Sequence, residues 1–335
     1  MAAGVPPPLT SWEGMNRVNT KSQGLFRTDE TTAGVAASGR PTRWLTSWTR
    51  RAPVLPVIAY LVLVTQAPFL LTVFYSTQSW NLLDPTAGRR FIGLDNYLSL
   101  GNVADLGRTV TNTAILTASV IVASLVLGLL VALLLNRQFP ARRLVRTLLI
   151  TPFLIMPTVN ALIWKDMIFN PVYGLLNAIL GGLRMARVDL LAQQPMLAII
   201  IICVWSWTPF MMLILLAGLQ SLDNEMVEAA QMDGAGPLAL FRAITVPHLS
   251  PYLGTCMLLG TIMVLPTFGE IYVATYGGPG LATTNLTFGV FKVAFADYNI
   301  GGASALAIVT MLITMAIGLT LMRTVGRVFT QELRR

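Results

Sequence analysis

Six apolar segments dominate this chain, and short polar segments separate them. Each is long enough to cross the hydrocarbon core of a bilayer as a helix, which takes about 20 residues. A segment in lipid must satisfy its own backbone hydrogen bonds, so helices are expected. The pattern predicts an all-α integral membrane protein with six transmembrane helices. The predicted spans are residues 53–75, 110–135, 147–168, 195–220, 251–274 and 302–322.

The composition supports this setting. The 335 residues are 54% hydrophobic and 11% charged, with a mean hydropathy of +0.66, which is typical of a chain surrounded mainly by lipid. The amino-terminal segment differs, because it is rich in Gly, Pro, Ser and Thr and has no apolar helical stripe, so we expect a disordered tail. The predicted parts are a tail at 1–50, a first helix and outer loop at 51–106, a five-helix core at 107–322 and a carboxyl-terminal tail at 323–335.

The basic residues indicate the orientation. Most Lys and Arg residues lie in 17–51, in 137–146 and in 323–335, and the positive-inside rule assigns such segments to the cytoplasm. Both termini are therefore expected to be cytoplasmic. The net charge of +8 reflects this topology and an attraction to anionic headgroups, so nucleic acid is not an expected partner.

One segment on the same side has the opposite charge. Residues 221–250, which we call the coupling loop, contain four acidic residues and one arginine. Residues 222–232 predict a short helix, Asp233-Gly234 permits a turn with positive φ, and Gly236-Pro237 opens a second helix. We expect Pro247 to end that second helix before the next span, because proline disfavours helical geometry at the preceding residue.

The second helix of the coupling loop has one apolar face, formed by Leu238, Phe241 and Ile244. An amphipathic loop that packs on its own bundle is one interpretation. The acidity, together with the small side chains of Ala229 and Ala230, favours the alternative that another protein docks here.

The order Glu228-Ala229-Ala230, three residues, Gly234, nine residues, then Ile244-Thr245-Val246-Pro247 resembles the signature of ATP-binding cassette (ABC) importer permeases. Only Val246 departs from it, where Leu is usual. Further resemblance to the carbohydrate-permease subgroup lies in Tyr276–Pro279, Ala282–Leu286, Ala294-Phe295 and Gly301–Ala303. The resemblance covers about residues 50–325.

This resemblance implies the type-1 importer permease fold, in the inner membrane of a bacterium. It implies that the coupling loop sits in a cleft of a cytoplasmic ATPase dimer, and that a second permease subunit and an extracytoplasmic solute-binding protein complete the transporter. The residues that it assigns to this contact are Glu228, Ala229, Ala230, Asp233, Gly234, Ile244 and Pro247. No Gly-x-x-x-x-Gly-Lys-[Ser/Thr] motif, which binds ATP phosphates, occurs in the sequence. We therefore expect another subunit to bind and hydrolyse ATP.

The cargo is less well defined. Met156–Lys165, Asn170-Pro171 and Met232–Pro237 are similar to the corresponding segments of polyol permeases for sorbitol or mannitol. Permeases for disaccharides or glycerol phosphates share most of these positions, so such a cargo is the alternative.

Candidates for the substrate pathway are polar or aromatic residues within spans, which tend to face a cavity or another helix. Asn160 and Trp164 lie one helical turn apart, where an amide and an indole could bind a sugar. The alternative is a hydrogen bond between helices and an interfacial anchor. Trp205 and Trp207 point to different sides of a helix, so at most one faces the pathway, and Trp207 is the candidate.

Two features are expected near the outer end of the fifth span. Glu270 follows a proline and a glycine, where a broken helix could expose a carboxylate to a cavity, or the residue simply reaches the outer interface. Gly277-Gly278-Pro279 is expected to shape an outer loop, or to contact the solute-binding protein.

Other functional classes have little support. His248 is the single histidine and is expected to cap or pack the coupling loop, and Cys203 and Cys256 lie in different apolar spans, where cysteines usually pack as small hydrophobes. We therefore predict no enzyme activity, metal site or cofactor. An ion-coupled secondary transporter would need a coupling site and usually an internal repeat, and only Glu270 suits that hypothesis.

Overall fold

The computed structural model describes residues 54–84, 86, 88–103 and 105–332. The tail predicted at 1–50 lies outside these residues. The chain divides into two units, residues 1–59 and 60–335. The described residues of the first unit are 54–59, where the first helix begins.

The described residues are mainly helical, as predicted. The helices are α1 (Leu55–Ser76), α2 (Asp95–Val103), α3 (Leu106–Asn136), α4 (Arg142–Leu154), α5 (Pro157–Leu162), α6 (Leu175–Gly182), α7 (Leu190–Gln193), α8 (Pro195–Gln220), α9 (Asn224–Met232), α10 (Pro237–Leu240), α11 (Val246–Val264), α12 (Gly269–Ala274), α13 (Leu286–Phe295) and α14 (Ile300–Glu332). Two π-helical turns, π1 (Ile163–Ile168) and π2 (Phe241–Thr245), follow α5 and α10 directly. An antiparallel pair, β1 (Gln78–Ser79) and β2 (Arg90–Phe91), lies between α1 and α2.

Four helices in the described part of the chain are long and apolar enough to cross a membrane, namely α1, α3, α8 and residues Ile300–Arg323 of α14. A fifth span is formed if α4 and the helix Pro157–Ile168 are counted as one bent pair. The fifth predicted span, 251–274, forms α11 and the separate short helix α12. Its early prolines, Pro247 and Pro251, and the polar His248 lower the apolar character of α11.

The third predicted span, 147–168, is not one straight helix. Its two halves are bent by 97° at a break between Leu154 and Pro157. Pro157 has no backbone N–H to donate, and Met156 before it is extended, with φ −59° and ψ 139°. A proline disfavours helical geometry at the residue before it, so the helix ends here and a new one begins in another direction.

The core of the bundle is the packing of α3 against α8. Gly128 allows the close approach, because a Cβ atom there would lie 2.9 Å from the Cβ of Met211 and 3.0 Å from the backbone nitrogen of Met212. Buried apolar residues continue along both sides of this contact, from Leu116 and Ile199 at one end to Leu135 and Leu219 at the other. A second apolar cluster packs α13 against α14.

The prediction that Pro247 ends the second helix of the coupling loop is wrong. The chain stays helical from α10 through π2 into α11, and Val246 is helical with φ −65° and ψ −46°. A proline ring clashes with the carbonyl four residues earlier in a regular α-helix and cannot donate to it. The wider π turn directly before Pro247 relieves both problems, so Pro247 occupies the first turn of α11.

Candidate functional site

The coupling loop projects a short helix that the other described residues do not cover. Asp223 caps α9 by accepting a hydrogen bond from the backbone N–H of Glu225 at 2.9 Å, which is a favourable way to begin a helix. None of the residues of α9 is buried. Glu228 and Ala229 are exposed, and Ala230 is partly exposed.

The turn after α9 has the geometry that the sequence predicts. Gly234 has φ +85°, and a left-handed residue just beyond a helix is a common helix ending. The Gly234 N–H donates to the Gln231 carbonyl and the Ala235 N–H to the Ala230 carbonyl, both at 3.0 Å. Asp233 is exposed at this turn.

The remaining predicted residues of the coupling loop lie on the returning helix. Ile244 belongs to π2 and is partly exposed, whereas Pro247 is exposed in the first turn of α11. The structure therefore brings Glu228, Ala229 and Gly234 to one protruding end, and places Ile244 and Pro247 on the helix that leads away from it.

Apolar residues on this protruding end were not singled out from the sequence, apart from Leu238. Met226 is 55% exposed, Met232 90% and Leu238 61%. Large apolar side chains that stay exposed beside acidic ones are typical of a surface that another protein covers. Methionines next to the acidic residues were the sequence evidence that could have indicated it.

A hydrogen-bonded cluster joins the two helices that flank the coupling loop, and we call it the helix clamp. His248 Nε2 lies 3.1 Å from the Gly218 carbonyl oxygen and 3.1 Å from Ser221 Oγ. The Tyr252 hydroxyl lies 2.9 Å from the same Ser221 oxygen. His248 was expected to cap or pack the coupling loop, and of these two roles the contacts fit a cap, because Gly218 and Ser221 are at the end of α8. Its partners were not predictable, since they depend on how α8 and α11 pack.

Asn160 connects two helices of the bundle. Its side-chain amide donates to the Ile202 carbonyl at 3.3 Å and to the Ser206 hydroxyl, both on α8. Asn160 is fully buried, and within the described residues its Oδ1 atom has no hydrogen-bond partner. This geometry is that of the helix-to-helix hydrogen bond that was the alternative to a sugar contact.

Trp164 lies near Asn160, in π1. Its ring centroid is 5.1 Å from that of Phe169 and 5.8 Å from that of Trp205, and its buried Nε1 has no partner among the described residues. Trp164 and Trp205 line an apolar cleft of about 580 Å³ between α3, α4 and α8. Trp207 turns away and packs against Phe153, with ring centroids 5.7 Å apart. Trp205, rather than the candidate Trp207, therefore accompanies Trp164.

Glu270 is in the first turn of α12 and only 5% exposed. The nearby Lys165 does not reach it, since its Nζ donates to the Val273 carbonyl at 3.0 Å. Lys165 instead lines a polar cleft of about 340 Å³, which we call the outer cleft, together with Asp166, Asn170 and Asp189.

The outer loop at residues 275–285 is a tightly bonded structure, as expected for a shaped loop. Gly277 has φ +78°, and the Thr284 hydroxyl donates to its carbonyl at 3.0 Å. Asn112 of α3 donates to the carbonyls of Leu281 at 2.8 Å and Thr284 at 3.0 Å. The loop is thereby fixed to the bundle. The sequence did not indicate Asn112, because its partners lie far away along the chain.

A row of aromatic rings extends from this loop. Phe268, Tyr272 and Tyr276 are linked to Phe291 and Phe295 through centroid distances of 5.2 to 6.4 Å. Tyr272, Tyr276 and Phe295 remain exposed. The sequence analysis missed this row, because its members come from α12, the residues that flank it and α13, and they meet only in the fold.

Among the described residues, no three His, Cys, Asp or Glu side chains are grouped so that they could hold a metal ion. Cys203 and Cys256 are separate, buried and free.

The sequence of this chain is similar to those of known transport proteins. Residues 124–335 match the family described as the binding-protein-dependent transport system inner membrane component. The probable ABC transporter permease protein y4oQ of Sinorhizobium fredii is 36% identical over 78% of this chain and 85% of that protein. The trehalose/maltose transport system permease protein MalF of Thermococcus litoralis is 33% identical, over 82% of this chain and 92% of that protein.

A solved structure shares the fold. It is the crystal structure of a bacterial ABC transporter involved in the import of the acidic polysaccharide alginate, with a TM-score of 0.71 at 21% identity, covering 85% of this chain and 99% of that one. With the family match over residues 124–335, this chain belongs to the binding-protein-dependent transport system inner membrane component family.

Proposed function

We propose that this chain is one of two permease subunits of an ABC importer for a carbohydrate. We also propose that its coupling loop is displaced by conformational changes of a separate ATPase. The observation that carries this proposal is the exposure of α9, whose acidic and apolar residues lie uncovered on a loop that is held at both ends by the helix clamp. A mobile or covered loop could not transmit force from another subunit, whereas a fixed and exposed one can.

The proposed mechanism follows from the continuous helical connection between the coupling loop and α11. Ala229 and Ala230 allow the backbone of an ATPase cleft to approach, while Glu228 pairs with basic or polar groups at the rim. A displacement of α9 passes through the Gly234 turn into α10, π2 and α11, which form one helical rod from Pro237 to Val264. Closure of an ATPase dimer would thus move helices that line the membrane pathway.

The outer side of the chain supports a hydroxyl-rich cargo. The outer cleft offers carboxylates of Asp166 and Asp189, the amide of Asn170 and the ammonium of Lys165, which are groups that bind sugar hydroxyls. The exposed aromatic row beyond it offers rings that can stack on the apolar face of a sugar. These features serve a small carbohydrate better than an apolar or strongly anionic cargo.

Within that class, a polyol such as sorbitol or mannitol is the cargo that we propose from the sequence resemblance. A disaccharide is the second candidate, favoured by the similarity to the trehalose/maltose permease MalF of Thermococcus litoralis. A glycerol phosphate is a further alternative. Among the described residues that line the outer cleft, Lys165 is the cation that could bind its phosphate.

The partners follow from the same proposal. They are an ATPase dimer on the cytoplasmic side, a second permease that completes the pathway, and a solute-binding protein outside. The coupling loop and both termini would then face the cytoplasm of a bacterial cell. Membership of a binding-protein-dependent family argues against the ion-coupled secondary transporter.

The test is uptake of labelled solute in cells that express the chain with its transport partners, comparing Gly234→Val with Gly236→Val at equal membrane abundance. Neither added side chain meets an atom within 4 Å, but only Gly234 has a positive φ. A β-branched residue is strongly disfavoured at such a φ. We expect Gly234→Val to abolish uptake and Gly236→Val to retain most of it.

Two results would contradict the proposal. Equal uptake by both variants would show that the Gly234 turn does not transmit the displacement of α9 to the membrane helices. Uptake that survives ATP depletion and collapses with a protonophore would indicate a secondary transporter. Sorbitol, mannitol, trehalose, maltose and glycerol 3-phosphate, supplied separately to the wild type, distinguish the proposed cargo from its alternatives.

A further inference from the structure

A basic cleft of about 550 Å³ lies where the end of α3, the start of α4 and the end of α8 meet. Three guanidinium groups line it, from Arg142, Arg143 and Arg146, together with the amides of Gln138 and Gln220. No carboxylate is among the described residues that line it. We call it the arginine cleft. Phe139 and Ala141 complete the lining, so all of its charged side chains are positive, which is a suitable environment for an anion.

The helix that begins at the arginine cleft has an unfavourable charge pattern. Helix α4 starts at Arg142, its first turn contains no acidic residue, and Ala141 before it, with φ +62°, provides no side-chain cap. The amino-terminal end of a helix carries a partial positive charge and unpaired N–H groups. Arginines at this end add repulsion, which an anion in the cleft would relieve.

Two arginines are spaced to hold one such anion. Arg142 and Arg146 are four residues apart, so they lie on the same face of α4. The planar guanidinium group donates two parallel hydrogen bonds, which match the oxygens of a phosphate group. A carboxylate would use one such fork, whereas a phosphate can use two.

The position of the arginine cleft indicates the source of the phosphate. Helix α3 and the bent pair that begins with α4 both have membrane-crossing character, so the connection between them, residues 137–141, lies at a boundary of the membrane. Phospholipid headgroups are concentrated at this depth, and basic pockets between transmembrane helices bind anionic ones.

We propose that the arginine cleft binds a phosphate group, that of an anionic phospholipid headgroup. The assignment to the cytoplasmic leaflet rests on the orientation in the proposed function, but the binding itself does not depend on cargo or on ATP. Gln220 gives the site a second role, because it is the last residue of α8 and precedes Ser221 of the helix clamp. A headgroup held between Arg142 and Gln220 would link α4 to the base of the coupling loop.

The experiment measures lipid retention by the purified transporter, extracted from vesicles of phosphatidylcholine with phosphatidylglycerol and analysed by native mass spectrometry. The cleft variant combines Arg142→Gln with Arg146→Gln. The matched control combines Arg242→Gln with Arg323→Gln, which removes the same charge from exposed arginines outside the cleft. We expect phosphatidylglycerol affinity to fall by roughly ten- to thirtyfold in the cleft variant and to change little in the control.

Competition with inorganic phosphate distinguishes the sources. Retention of phosphatidylglycerol in excess inorganic phosphate supports the lipid headgroup, whereas complete displacement supports phosphate chemistry but overturns the assignment to a lipid. Equal losses in the cleft variant and the control would overturn the proposal altogether. A variant with Arg142→Lys and Arg146→Lys keeps the charge without the fork, and intact retention there would refute the role of the guanidinium geometry. Because no transport is measured, these outcomes are independent of the proposed function.

Discussion

His248 Nε2 lies 3.1 Å from the carbonyl oxygen of Gly218, so the helix that enters the coupling loop and the helix that leaves it are joined directly at their base. Gly218 also brings the two helices into contact, because a Cβ atom there would lie 2.7 Å from the Tyr252 ring. The contact fixes the distance between the two ends of the loop. If α9 is pushed by an ATPase, both helices must respond together.

The first prediction concerns this contact. His248→Ala removes the bond to Gly218 and one of the three partners of the Ser221 hydroxyl, which should cost about 1–3 kcal/mol of stability. We expect ATP hydrolysis by the assembled transporter to persist while the solute transported per ATP falls several-fold. The measurement is ATPase activity and uptake in the same proteoliposomes.

Tyr252→Phe is the control for the helix clamp. It removes the hydroxyl that contacts Ser221 but keeps the His248–Gly218 contact, so the transport ratio should fall less than in His248→Ala. Equal and parallel losses of hydrolysis and transport in both variants would argue for simple destabilisation.

The second prediction concerns the outer loop. Gly277→Ala should destabilise the protein by more than about 2 kcal/mol, because its φ is +78° and the new Cβ would lie 2.5 Å from Phe288 Cε1. Gly280→Ala has a similar φ of +62° but open space, so about 1 kcal/mol is expected. Thermal unfolding in detergent compares the two, and equal shifts would mean that the Phe288 contact is unimportant.

The third prediction separates two roles for Asn160. If its amide mainly joins α5 to α8, Asn160→Ala should lower stability by about 1–3 kcal/mol, and the loss should be smaller when Ser206 is already alanine. A double-mutant cycle on thermal stability measures this coupling. An increase in the KM for uptake without loss of stability would instead support the sugar contact suggested by the sequence.

The fourth prediction concerns Glu270. Glutamine has the same shape without a charge, and burial of an unpaired charge is costly, so Glu270→Gln should leave stability unchanged or raise it. ATP-driven uptake should stay within a few-fold of the wild type across pH. Complete loss of uptake, with normal abundance, would show that this carboxylate is needed in the pathway.

The local features of the site were predictable from sequence, because they depend on neighbouring residues. Asp223 and the Asp233-Gly234 pair specify the start and the end of α9 through capping and positive φ. The aromatic row and the contacts of Asn112 were not predictable, because the chain must fold before α3, α12 and α13 meet. The two errors both concern prolines. Pro157 breaks a span that appeared continuous, whereas Pro247 lies in the first turn of a helix directly after a π turn, and composition does not indicate that turn.

The π turn at Phe241–Thr245 also constrains how many residues can lie between Gly234 and Pro247. Each residue of an α-helix turns the chain by about 100°, and π2 contains a wider turn than a regular helix. Deletion of a single residue within Phe241–Thr245 would let the segment relax to an uninterrupted α-helix. Every side chain beyond it would then rotate relative to α9, and Leu249 and Cys256, now buried, would leave their positions. The separation of Gly234 from Pro247 therefore sets the rotational phase of α11, so an insertion or deletion here should be far more damaging than a substitution.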